Sequence, residues 1–165
     1  MSKSSVFLIG MMGAGKTTVG RCLAKELNCQ FLDSDKLIEK KENRTIDAIF
    51  KESGESYFRN LEDLIIKQFE NKPCVYSTGG GLPIHNRNID RLKDIGQVIY
   101  LKTSIEELLY NRIKNNSSRP NFNDHLSFEN LLKHREPIYI EADFVVTTDS
   151  KSPKEIAREI SLLID

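Results

Sequence analysis

The fold of this chain is decided near its start by eight residues, Gly10-Met11-Met12-Gly13-Ala14-Gly15-Lys16-Thr17. They match the pattern GxxxxGK[ST], follow an apolar run at 6–9 and open a segment of helical periodicity at 16–27. Glycines in such a loop let successive backbone N–H groups turn inward around a polyphosphate, and the positive end of the following helix adds to the attraction. The stretch therefore predicts a P-loop that binds a nucleoside triphosphate.

Two side chains of the loop have predicted roles of their own. Lys16 can reach the β- and γ-phosphates, and the hydroxyl of Thr17 can ligate Mg²⁺. The alternative is a glycine-rich turn that precedes a helix by chance, but such a turn does not require the strand, the full spacing and the Lys-Thr pair together. The pattern predicts a nucleotide and magnesium, and it leaves the phosphate acceptor open.

Outward from the loop, short apolar runs alternate with longer segments of helical periodicity. This alternation predicts an α/β fold, with a parallel sheet flanked by helices and strands buried on both faces. In such sheets ligands bind at the carboxyl ends of the strands. We predict strands over 6–9, 30–32, 74–77, 98–101 and 144–147, and helices over 16–27, 55–69, 104–114, 127–140 and from a cap at Ser152 onward.

Composition narrows the class of protein. The length of 165 residues fits a single domain, and 39% apolar residues are too many for a disordered chain. Lys plus Arg and Asp plus Glu both total 24, and this balance favours neither nucleic acid nor a membrane as a partner. The three cysteines, Cys22, Cys29 and Cys74, lack metal-ligand spacing and indicate reduced thiols. No apolar run reaches the roughly 18 residues that span a bilayer. The run at 6–9 imitates a secretory signal, but the glycines of the following loop interrupt it, so we expect a cytoplasmic protein.

Acidic residues follow the second predicted strand, in the stretch Asp33-Ser34-Asp35. Alternation along a strand would point the two carboxylates in roughly the same direction. One could then hold Mg²⁺ and the other could accept a hydrogen bond from an attacking hydroxyl. The alternative is a helix N-cap, because Asp and Ser are common there.

Three consecutive glycines, Gly79, Gly80 and Gly81, follow the third predicted strand. They would let backbone N–H groups approach a ligand closely, although a loose loop is the alternative. Residues of the predicted helix at 55–69 form an apolar stripe at intervals of three and four, namely Phe58, Leu61, Ile65 and Phe69. Arg59 lies beside Phe58 at the edge of this stripe, and Arg135 lies farther along the chain. Taken singly, such arginines are usually surface charges, but together they could bind a carboxylate-bearing substrate.

Other P-loop classes fit the remaining sequence less well. A GTPase needs an NKxD motif, and Asn71-Lys72-Pro73-Cys74 lacks the aspartate that recognises guanine. A motor ATPase normally ends a strand with Asp or Glu, whereas Val75-Tyr76-Ser77-Thr78 ends in hydroxyls. A polar stretch around Arg119 has the length of a lid or binding loop. These features favour a small-molecule kinase.

Taken together, the motifs resemble the shikimate kinase family over nearly the whole chain. The matching elements occur in the order and spacing of that family: GMMGAGKTTVGR at 10–21, DSD at 33–35, ESYFRNLE at 55–62, GGG at 79–81, Arg119-Pro120 and REPIY at 135–139. The resemblance implies transfer of the ATP γ-phosphoryl group to the 3-hydroxyl of shikimate, with Mg²⁺. It also implies a three-layer P-loop fold similar to that of nucleoside monophosphate kinases, with a five-stranded parallel sheet. A lid would lie at about 114–126 and a shikimate-binding segment at about 34–62.

The resemblance also implies roles for individual residues. Lys16, Asp35 and Arg119 would be catalytic, with Asp35 orienting or deprotonating the acceptor hydroxyl. Thr17 and Asp33 would serve magnesium. Shikimate would contact Asp35, Arg59, Gly79, Gly80, Gly81 and Arg135, and ATP would contact Gly13, Ala14, Gly15, Lys16, Thr17, Thr18, Arg112, Arg119 and Pro153.

One departure from the family pattern and two alternative functions accompany this prediction. The family usually continues Arg-Pro with two leucines, where this chain has Asn121-Phe122. We expect this difference to affect the packing of the lid.

A kinase for another small polyol acid, such as gluconate, is the nearest alternative function, and a non-catalytic ATP-binding regulator is the other. We expect a monomer whose partners are ATP and shikimate.

Overall fold

The computed structural model describes residues 5–114 and 125–165, with side chains over 5–111 and 126–165. Strands and helices alternate along most of the chain, as the sequence predicts. The strands are β1 Ser5–Ile9, β2 Gln30–Asp33, β3 Cys74–Ser77, β4 Gly96–Lys102 and β5 Phe144–Thr147. The helices are α1 Lys16–Glu26, α2 Ser34–Glu42, α3 Ile46–Ile66, α4 Asn88–Ile95, α5 Ile105–Lys114, α6 His125–Tyr139 and α7 Pro153–Ile164, with a 3₁₀ turn at His85–Arg87.

The five strands form one parallel sheet in the order β2-β3-β1-β4-β5. The predicted α/β fold with a five-stranded parallel sheet is therefore confirmed. Because β1 is central and neighbours β3, the loops that follow β1, β2 and β3 emerge at the same edge of the sheet. This arrangement brings the P-loop, the Asp33-Ser34-Asp35 stretch and the triple glycine to one edge.

Burial differs between the middle and the sides of the sheet. All residues of β1 and β3 are buried, as predicted for strands covered by helices on both faces. The same prediction is wrong for β2 and β5, which contain exposed residues because they are the two edge strands. Strand order, which local sequence does not reveal, decides this difference.

The segment between β2 and β3 contains more helix than the sequence predicted. Helix α2, which begins directly after β2, was not predicted, and α3 begins nine residues before the predicted start at 55. Gly54 interrupts α3 with φ 84° and ψ 171°, a conformation that favours glycine and bends the helix. The predicted apolar stripe is confirmed, because Phe58, Leu61 and Ile65 are all buried.

Helix α7, near the C-terminus, packs against α1. Helix α7 has the predicted capping box, in which Ser152 and Glu155 bond each other's backbone N–H groups and Pro153 occupies the first turn. All three cysteines are free thiols, although only Cys74 is fully buried. Across the described parts of the chain, we find no helix with the length and apolarity needed to cross a bilayer.

Candidate active site

The P-loop forms a compact turn between β1 and α1. Gly10, Gly13 and Gly15 have positive φ angles of 142°, 88° and 90°, which side chains rarely tolerate. The ammonium group of Lys16 folds back across the loop and donates to the carbonyl oxygens of Gly10 and Met11, each at 2.8 Å. These contacts hold a buried positive charge over the predicted phosphate site.

Helix α5 supports the loop from outside. The side-chain amide of Asn111 donates to the carbonyl oxygen of Gly13 at 2.8 Å. A methyl group placed on Gly13 would lie 3.2 Å from the carbonyl oxygen of Leu108. Glycine at this position therefore serves both the backbone conformation and the close approach of α5.

Thr17 and Asp33 meet beside the P-loop. The Thr17 hydroxyl donates to Oδ2 of Asp33 at 3.1 Å, and Oδ1 of Asp33 accepts the backbone N–H of Lys36 at 3.1 Å. Asp33 is thus the N-cap of α2, as the alternative interpretation held, and it also contacts the predicted magnesium ligand. We expected Asp33 and Asp35 to point in the same direction because side chains alternate along a strand. That argument does not apply, because the strand ends at Asp33 and residue 35 is helical.

This pair fits the chemistry of a magnesium site. A hydroxyl and a carboxylate are hard oxygen donors, and Mg²⁺ commonly takes one or two protein ligands together with nucleotide phosphates and water. Among residues 5–111 and 126–165 there is no cluster of three or more His, Cys, Asp or Glu side chains that could hold a metal. Thr17 and Asp33 therefore suit an ion that arrives with the nucleotide.

The triple glycine is the point at which the predicted acceptor residues meet. A methyl group placed on Gly79 would lie 2.7 Å from Oδ1 of Asp35, and one placed on Gly80 would lie 2.8 Å from Nη1 of Arg135. One placed on Gly81 would collide with the guanidinium group of Arg59. Asp35, Arg59 and Arg135 come from α2, α3 and α6, so three helices deliver charged groups to one backbone segment.

Hydrogen bonds fix this segment in place. The backbone N–H of Gly79 donates to Oγ of the buried Ser34 at 2.9 Å. The phenol of Tyr139 donates to the carbonyl oxygen of Gly80 at 2.6 Å. The triple glycine is therefore a backbone segment held by hydrogen bonds between α2 and α6, and the loose-loop alternative is wrong.

A fourth charged group, Glu62, completes the cluster, and our sequence predictions did not include it. Oε1 of Glu62 accepts from Nη1 of Arg59 at 2.5 Å, and a methyl group on Gly79 would lie 3.2 Å from Oε2. Burial raises the pKa of Glu62 to about 7 against the opposing effect of Arg59, and the carboxylate of Asp35 adds to the increase. The sequence carried a signal, because Glu62 lies four residues after Phe58 and three before Ile65, within the apolar stripe.

Comparison with known proteins shows which family the chain belongs to. The shikimate kinase family model matches residues 12–165. A shikimate kinase of Persephonella marina is 42% identical over 158 residues, covering 94% of this chain and 96% of that protein. The chain belongs to the shikimate kinase family.

Solved structures also support the family. The shikimate kinase from Acinetobacter baumannii in complex with shikimate has a TM-score of 0.93 and 38% identity, covering 99% of this chain and 93% of that one. A gluconokinase from Sinorhizobium meliloti covers 99% of this chain and 92% of its own, with a TM-score of 0.66 and 16% identity, a likeness that shows the fold alone.

Some site residues implied by the resemblance to shikimate kinases lie outside the described residues. They are Arg119, most of the predicted lid at 114–126, and the side chain of Arg112. Pro153 lies in the first turn of α7, on the helix that contacts α1. Ala14, Gly15 and Thr18 lie in or directly after the P-loop, as predicted.

Proposed function

We propose that this protein transfers the γ-phosphoryl group of ATP to the 3-hydroxyl of shikimate, giving ADP and shikimate 3-phosphate. The observation that carries the proposal is the meeting of Asp35, Arg59 and Arg135 at the triple glycine, at the same edge of the sheet as the P-loop. Two guanidinium groups and a carboxylate around a backbone segment without side chains suit a compact ring that bears one carboxylate and several hydroxyls.

On the acceptor side, Arg59 and Arg135 bind the carboxylate of shikimate. A guanidinium group matches a carboxylate in shape and charge, and the pairing is strongest where water is partly excluded. The side chain of Arg59 is 14% exposed and its position is held by Glu62. The ring then lies over Gly80 and Gly81, where a side chain would displace the guanidinium groups of Arg135 and Arg59.

Asp35 acts on the nucleophile. Its buried carboxylate accepts the hydrogen bond of the 3-hydroxyl and aligns the oxygen with the γ-phosphorus. A bond forms between that oxygen and the phosphorus as the bond to the β-phosphate oxygen breaks, and the hydroxyl proton passes to Asp35. Phosphoryl transfer requires mainly alignment and charge neutralisation from the protein.

On the nucleotide side, the P-loop amides and Lys16 neutralise the phosphates. Mg²⁺, held through Thr17 and Asp33, supplies further positive charge to the phosphate oxygens when it is bound. By the family resemblance, Arg119 reaches the phosphates from the lid, and Arg112 and Pro153 flank the adenine. We also propose that the protein acts as a cytoplasmic monomer. The absence of nucleic-acid and membrane partners is part of the same proposal and is supported by the zero formal net charge.

A coupled ADP-release assay tests the function. We expect release from Mg-ATP to rise many-fold with shikimate and to stay near background with gluconate. Faster turnover with gluconate would favour the polyol-acid alternative. Tight ATP binding without acceptor-dependent release of ADP would favour the regulator.

A further inference from the structure

Glu62 is a charged residue that the proposed phosphoryl transfer does not use. Its side chain is fully buried, and among the described residues Oε2 has no hydrogen-bond partner. The same atom lies beside Gly79, where Asp35 also approaches. A buried carboxylate oxygen without a partner is costly, and a proton on the carboxyl group removes much of that cost.

Charged groups reach this part of the site from three helices. Asp35 comes from α2, Arg59 and Glu62 from α3, and Arg135 from α6. Glu55 also pairs with Arg59, but its side chain is 61% exposed, so water screens its charge. Tyr139 faces the cluster as well, and burial raises the pKa of Tyr139 to about 12, so this phenol stays neutral near pH 7.

The charges of the four ionisable side chains sum to zero only when no acceptor is bound. Two guanidinium groups, Arg59 and Arg135, face two carboxylates, Asp35 and Glu62. Shikimate adds a third carboxylate, which competes with Glu62 for Arg59. Burial raises the pKa of Glu62 and both arginines lower it, so their engagement by a second anion weakens that lowering and favours the protonated form.

We propose, on the basis of the proposed function, that Glu62 takes up a proton when the carboxylate of shikimate binds between Arg59 and Arg135. Glu62 then acts as a positioning residue whose protonation keeps the occupied site electrically balanced. The proton resides on the buried Oε2 beside Gly79, while Oε1 continues to accept from Arg59.

The sign of the pH dependence follows from linkage. Well below pH 7, Glu62 is already protonated and binding exchanges no proton. As the pH rises through the pKa of free Glu62 at about 7, each binding event must bring a proton, so the affinity for shikimate falls. Above the pKa in the complex, the loss of affinity levels off.

Calorimetric titration of the full chain with shikimate, in buffers of different ionisation enthalpy, measures the proton count directly. We expect uptake of about half a proton per site near pH 7.5 and almost none at pH 5.5. Glu62→Gln should abolish the uptake and flatten the pH dependence of the dissociation constant. The matched control is Glu55→Gln, which removes the exposed partner of Arg59 and should keep the uptake.

Each outcome decides the inference. Shikimate binding to the unaltered protein without proton exchange at pH 7.5 would overturn it, even if Glu62→Gln did not fold. Unchanged uptake in a folded, nucleotide-binding Glu62→Gln protein would also overturn it, because the proton would go elsewhere. Absence of any shikimate binding would overturn the proposed function itself, and the inference with it.

Discussion

The P-loop and the triple glycine both depend on glycine, but for different physical reasons. Gly10, Gly13 and Gly15 have positive φ angles, so the P-loop needs glycine for its backbone conformation. At 79–81 the glycines have no positive φ, and a side chain there would meet the charged ends of other side chains. The P-loop therefore depends on backbone conformation, and the acceptor side depends on charged side chains that approach the glycines closely.

The largest effect should come from the acceptor side. Asp35→Asn keeps the shape of the side chain but removes its charge, and we expect kcat to fall by about 10²- to 10⁴-fold. Nucleotide affinity, measured by calorimetry, should stay close to normal because the P-loop is intact. Asp94→Asn, an exposed change, is the control. Near-normal turnover of Asp35→Asn would refute its role at the nucleophile.

Arg135→Ala tests whether the arginines serve the acceptor alone. Loss of a charged hydrogen bond to the carboxylate should raise the KM for shikimate by about 10- to 100-fold. The KM for ATP should change little. The exposed Arg158→Ala on α7 is the matched control. Equal effects on both substrates would place Arg135 outside the acceptor site.

Asp33→Asn tests whether Asp33 serves Mg²⁺ on the nucleotide side of the site. Asparagine caps helices about as well as aspartate, so α2 should form normally. We expect the Mg²⁺ concentration for half-maximal activity to rise about tenfold, because one anionic oxygen near Thr17 is lost. An unchanged Mg²⁺ requirement would show that Asp33 is only the cap of α2.

One glycine variant from the P-loop and one from the triple glycine test whether the two segments need glycine for different reasons. Gly10→Ala should lower the free energy of unfolding by about 1–3 kcal/mol, because φ is 142° and the methyl group would lie 2.8 Å from the backbone oxygen of Leu101. Gly81→Ala should lower stability less than Gly10→Ala, since its φ is not positive and the atoms nearest the methyl group belong to the end of Arg59 and not to backbone, while the KM for shikimate rises about fivefold. Denaturant unfolding and steady-state kinetics measure both. Equal destabilisation by the two variants would remove the distinction.

The same contrast explains how much the sequence revealed. The P-loop is local, so eight consecutive residues predicted its position and conformation. The residues Asp35, Arg59 and Arg135 were candidates with open alternatives, and their individual roles came from the family resemblance, because their meeting depends on how α2, α3 and α6 pack. Glu62 was missed because its role depends on burial beside Arg59, which the spacing alone does not establish.

Elements without strong local signals were also missed. Helix α2 was overlooked because Asp33-Ser34-Asp35 also predicts a loop of ligands at the end of a strand. The first part of α3 was missed because Gly54 interrupts its pattern. The exposure of β2 and β5 depends on strand order, which is a property of the whole sheet. The roles of Arg112, Arg119 and the lid stay predictions.

The most direct test of the central claim is a crystal structure with shikimate and a non-hydrolysable ATP analogue bound together. We predict the shikimate carboxylate between Arg59 and Arg135, the ring over Gly80 and Gly81, and the 3-hydroxyl between Asp35 and the terminal phosphate in the P-loop. Shikimate bound away from the triple glycine, or with its 3-hydroxyl turned away from Asp35 and the phosphate, would contradict the claim.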